Sequence, residues 1–115
     1  MLEAHDLAVR RQGVDSLPVA KTNYLKMGIM LKEKKFPEAI ESARAAYAGF
    51  IKFEGESHPE PLLAQGGEID ALTRLGRMDE ARALFAKADA VRREKLAKNE
   101  YIEEYYGELR QKLGN

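Results

Sequence analysis

Two stretches of this chain match each other 42 residues apart, and that spacing constrains the fold more than any other feature. Phe36-Pro37-Glu38-Ala39 lies over Met78-Asp79-Glu80-Ala81. At the same offset Ala46 falls on Ala88, Ala48 on Ala90, Met30 on Leu72 and Met27 on Ile69. A unit of this length that returns with its apolar positions in register is one supersecondary element. Alone it cannot cover its own hydrophobic face, so copies stack.

The unit is helical. Ala, Leu, Glu, Lys and Arg supply 62 of the 115 residues, whereas Val, Ile and Thr supply 11. The first group holds the best helix formers, and the second is too small for a sheet protein. All four prolines lie within the first 61 residues, and none follows Met78. Glycines and prolines divide the chain into helices expected near 2–12, 18–34, 37–54, 59–75 and 78–112. Leu2, Ala4, Leu7, Ala8 and Val9 make the first amphipathic, and Gly13 with Asp15-Ser16 ends it. Pro18 and Pro37 suit first helical turns, and Lys32 to Lys35 close the second helix. Ser57 and Glu60 have capping-box spacing, and Gly76 marks a turn. No strong stop follows Val91, so the last helix is expected to run past Asn99. The expected core is Leu25, Met30, Phe36, Ala39, Ala43, Ala46, Phe50, Leu62, Ile69, Leu72, Met78, Ala81, Phe85 and Ala88.

The rest of the composition excludes rather than identifies. Nineteen basic and nineteen acidic residues give no net charge, so no global field draws nucleic acid or an anionic membrane. No apolar run approaches the ~20 residues of a bilayer span, and no secretory leader is evident. Absence of cysteine removes disulfides, thiolate metal sites and a thiol nucleophile, and it suits a cytoplasmic protein. His5 and His58 are far apart, so no histidine metal cage or triad is expected. Glu103-Glu104 lacks an apolar pocket to split its pKa values, and Gly66-Gly67 lacks the strand and Lys-Ser/Thr of a phosphate loop. We therefore expect no enzyme, cofactor or metal. Arg92-Arg93-Glu94-Lys95 reads as an exposed mixed-sign helix face, and Lys32, Lys34 and Lys35 as a solvated helix end.

The repeat resembles the tetratricopeptide family. A large residue, then Glu-Ala, then alanine seven residues on is that motif's second-helix signature. Here it is Phe36, Ala39 and Ala46, then Met78, Ala81, Phe85 and Ala88, with Gly76 at the turn. The period exceeds the usual ~34 residues and is similar to the kinesin light chain subtype. Gly55 and the His58-Pro59 pair match that subtype's spacing from Ala39. Ala97 and Glu100 replace its glycine and histidine in the second copy, and Gly66-Gly67 replace its asparagine pair. The resemblance implies an all-α, right-handed stack of antiparallel helical hairpins. It would form one domain with an N-terminal helix (1–17), two repeats (18–55 and 56–97) and a C-terminal helical extension (98–115).

It further implies that the first helix of each hairpin lines a concave face. The corresponding positions are Lys21, Tyr24, Gly28, Leu31 and Lys32, then Leu63, Gly66, Asp70, Thr73 and Arg74. A set of cations with one aromatic suits an extended peptide carrying acidic groups. The alternative is that two hairpins make too short a groove and these residues are plain surface. Gly66-Gly67 fits close helix packing or an opening for a bound backbone. The extension carries a stripe of Ile102, Tyr105 or Tyr106, Leu109 and Leu113 that has to cover something. It either folds back as a cap or pairs with the same stripe in a homodimer. Two functions follow: a protein-interaction adaptor, or a structural homo-oligomer built through the C-terminal helix without a separate ligand.

Overall fold

The computed structural model describes residues 17–114, so the expected helix over 2–12 lies outside the described residues. Five helices follow one another: α1 (Leu17–Lys32), α2 (Phe36–Phe53), α3 (Pro59–Arg74), α4 (Met78–Lys95) and α5 (Glu100–Leu113). No strand occurs among the described residues, so the fold is all-α. The 42-residue offset holds at the helix ends as well as in the sequence. It carries both bounds of α1 onto α3 and both bounds of α2 onto α4. Each helix packs on the next, and α1, α3 and α5 also pack side by side.

The turns repeat at the level of single hydrogen bonds. After α1, Lys34 takes a left-handed conformation (φ 63°), and Lys35 N–H donates to Met30 O at 2.8 Å. After α3, Gly76 does the same (φ 78°), and Arg77 N–H donates to Leu72 O at 2.9 Å. Both close their helix by a Schellman-type bond pattern. A lysine there carries a Cβ penalty that glycine escapes. Lys34→Gly should therefore raise stability by about 0.5–1 kcal/mol in urea unfolding.

Three sequence expectations need correction. The long helix over 78–112 is two helices. α4 ends at Lys95, and Asn99 opens α5, its Oδ1 accepting Ile102 N–H at 3.0 Å. An asparagine is a strong helix start, and the break turns the following apolar stripe onto the core. The Ser57–Glu60 capping box does not form. His58 is the N-cap of α3, without a side-chain cap bond, and prolines occupy the first turn. Leu25 is not core but 67% exposed, and Ile29 one turn on is 53% exposed. The buried residues of α1 are Ala20 and Met27. Gly67 explains the rotation, since the Met27 thioether occupies the space its side chain would fill.

One core runs from Ala39 and Ile40 through Leu62, Ile69, Leu72, Ala81, Phe85 and Ala88 to Ile102, Tyr106, Leu109 and Leu113. A smaller cluster of Ala20, Ala46, Phe50 and Ala64 joins α1, α2 and α3. Met30, Phe36 and Met78, expected in the core, pack against its edge. Arg92 corrects another expectation, because it is buried rather than on an exposed charged face. Its Nε donates to Asp89 Oδ1 at 2.6 Å.

Candidate functional site

α1 and α5 each pack beside α3, and the residues expected to line a groove fall on α1 and α3. On α1, Lys21 and Lys32 are exposed, and Tyr24 is half-buried, edge-on to Phe50 at 6.2 Å. Gly28 is exposed and Leu31 half-buried. On α3, Asp70 accepts from Arg74 Nε at 3.2 Å and lies 3.7 Å from Lys112 Nζ of α5. The Arg74 guanidinium also sits over the Phe36 ring at 5.7 Å. Thr73 points its hydroxyl inward along its own helix, donating to Ile69 O at 2.8 Å. The structure thus gathers Asp70 and Arg74 with Lys112, while Lys21 stands apart towards the other end of α1.

The adjacent glycines of α3 are close-packing sites. A Cβ at Gly66 would overlap the Tyr105 ring, and one at Gly67 would overlap Met27. Glycine in a helix interior costs about 1 kcal/mol relative to alanine. Here the missing side chains let α5 and α1 lie directly against the α3 backbone.

The C-terminal stripe is consumed within the chain. Ile102, Tyr106, Leu109 and Leu113 are all buried, and α5 packs on α3 and α4. Tyr106 donates to Leu62 O at 2.7 Å and stacks on Phe85 at 5.8 Å. Tyr105 points the other way, over Gly66, and is half-buried. Burial pushes its phenol well above the ordinary tyrosine value, helped by the negative charge of Asp70.

Sequence reasoning passed over the outward face of α5. Tyr101, Tyr105, Glu108 and Lys112 recur at helical spacing, one residue out of step with the buried stripe. That second periodicity was the available signal. Tyr101, 67% exposed, and Tyr105 line a shallow pocket with Glu104 and Glu108.

A second cluster forms at the α2–α3 turn. Glu54, His58 and Glu60 hold one donor atom each within 4.8 Å of one another, a set that could ligate a metal ion. His58 is exposed there. Glu54 Oε1 is buried without a hydrogen-bond partner. Burial raises the Glu54 carboxyl above its usual value, and Glu60 adds to this, while His58 and Lys21 pull it partly back. A raised carboxyl favours the neutral form in the folded state. Its stabilising contribution is full below the ordinary carboxylate pKa and is lost as pH rises through the folded value. Glu54→Gln should therefore melt higher than the parent at pH 8 and no higher at pH 4, read by circular dichroism.

Away from these residues, Pro37, Ile40, Glu41, Arg44 and Arg77 line another concavity. Its cations are engaged, Arg44 with Glu68 at 2.8 Å and Arg77 with Glu80. Among the described residues no helix is long and apolar enough to cross a membrane. No family model, no curated protein and no solved structure matches the chain.

Proposed function

We propose that this chain is a tetratricopeptide-type interaction module, of the 42-residue kinesin light chain kind. On this reading it acts in the cytoplasm by binding rather than catalysis, holding an extended segment of a partner protein on the concave face of α1, α3 and α5. The observation that carries this is the register of the helices. Two hairpins repeat at a fixed offset, and α5 begins where the first helix of a third hairpin would begin. That third helix lengthens the groove beyond the two hairpins expected from sequence. Solenoids of this kind use such concave surfaces for extended ligands.

The bound segment carries acidic groups. Lys32, Arg74 and Lys112 each lie in the last turn of their helix, so three cations gather at one end of the groove. Asp70 holds two of them in place and leaves net positive charge for a ligand carboxylate. Tyr24 and Lys21 lie farther along α1, where the tyrosine offers a face and a hydroxyl.

Short Asp/Glu-rich peptides, followed by fluorescence anisotropy, test this. Affinity should fall as salt rises, because exposed charges are screened over about 8–10 Å. The K32E/R74E variant should lose binding while its melting temperature changes little. Equal affinity in the charge-reversed variant would overturn the reading.

A further inference from the structure

The outward face of α5 differs in chemistry from the cationic end of the same groove. Tyr101, Glu104, Tyr105 and Glu108 line a pocket of about 170 Å³. Small-molecule sites usually enclose about 300–1,000 Å³, so this one has room for a side chain rather than a cofactor. Neither Glu104 nor Glu108 has an ion-pair or hydrogen-bond partner among the described residues. The cations of α5 itself are committed elsewhere, Arg110 to Asp89 at 3.2 Å and Lys112 towards Asp70. One wall is fixed, because the Tyr105 ring lies on Gly66 of α3.

Two phenol rings and two free carboxylates around a space of this size select positive charge. The rings attract a cation through their negative faces, and the carboxylates form charge-assisted hydrogen bonds with its N–H groups. We infer that the pocket lined by Tyr101, Glu104, Tyr105 and Glu108 receives one lysine or arginine side chain of the segment held in the groove. This rests on the groove reading above and sets the polarity of its ligand. Glu104 and Lys112 are eight residues apart on α5, about 12 Å along the axis. An extended chain covers that in about four residues. The segment therefore carries a basic residue about four positions from its acidic group.

The test uses peptides with one lysine four positions from a Glu-Glu pair, in both chain directions, beside the same peptides with norleucine for lysine. Against the full chain, the norleucine change should weaken binding about tenfold in the preferred direction. In E104Q/E108Q the two peptides should bind alike, with melting temperature unchanged. Equal binding of lysine and norleucine peptides to the parent, while K32E/R74E still abolishes binding, would overturn the pocket and keep the groove. A direct probe separates the reverse case. Acetyl-arginine amide should shift the amide resonances of Tyr101, Glu104, Tyr105 and Glu108 in the parent and not in E104Q/E108Q. Those shifts without any peptide binding would keep the pocket and overturn the groove, and their absence together with no lysine preference would overturn the pocket.

Discussion

Replacing Asp89 with alanine should destabilise the fold by about 3–5 kcal/mol, the usual cost of stranding a buried charge. Asp89 is 2% exposed on α4, and Arg92, one turn on, is 7% exposed. Oδ1 accepts from Arg92 at 2.6 Å, and Oδ2 lies 3.2 Å from both Arg93 and Arg110. The carboxylate is therefore the common anion of three guanidinium groups on two helices. Without it Arg92 keeps its charge inside the protein with no counterion, and α5 loses the tie through Arg110. The exposed partners, Arg93 and Arg110, contribute less because solvent screens them. Urea unfolding gives the loss directly. Exchanging both partners in D89A/R92M should recover most of it, since a well-packed apolar pair avoids the desolvation that the ion pair carries. A double variant no more stable than D89A would show that the stranded arginine is not the cause.

Tyr106→Ala is expected to cost about 3–5 kcal/mol as well, by a different route. The ring is fully buried where α5 meets α3 and α4, stacked on Phe85, with its hydroxyl bound to the Leu62 carbonyl. Alanine leaves a cavity and removes the hydroxyl's bond to that carbonyl together. Tyr106→Phe isolates the second effect and should cost about 1 kcal/mol, the net worth of one hydrogen bond. Comparing the two in urea divides packing from hydrogen bonding. A loss in Tyr106→Phe as large as that in Tyr106→Ala would contradict the packing account.

The parts of the fold legible in the sequence are those where one local rule acts alone. Pro37, Pro59 and Gly76 mark helix ends because their backbone constraints need no tertiary partner. The alanines at 39, 46, 81 and 88 are buried where the repeat put them. What escaped depended on contacts between helices. Leu25 looks like core on α1 by spacing. The face that turns inward is set by Met27 filling the gap at Gly67, a residue 40 positions away. Arg92 looks like surface because charge alone suggests it, and only the folded neighbour Asp89 makes burial tolerable. The helix break at Asn99 rests on a good N-cap residue, yet nothing before it in the sequence stops the preceding helix. Its consequence, two neighbouring stripes on α5 with one buried and one facing out, required knowing which surface waited beneath. The candidate site suffered most. Its α1 and α3 residues came from the repeat anchors, whereas Tyr101 and Glu108 lie on a helix the repeat signature does not mark.

The ion cluster at Asp89 and the buried Tyr106 both bind α5 to its neighbours, while α1 buries only Ala20 and Met27. Stability in stacked repeats is largely a sum over neighbouring interfaces, so protection is graded along the stack. Amide hydrogens should exchange slowest in α3, which packs on all four of the other described helices. α3 is then the keystone of the stack: its bare backbone at Gly66 and Gly67 sets how near α5 and α1 can stand, and a methyl group added at either would lever one of them outward.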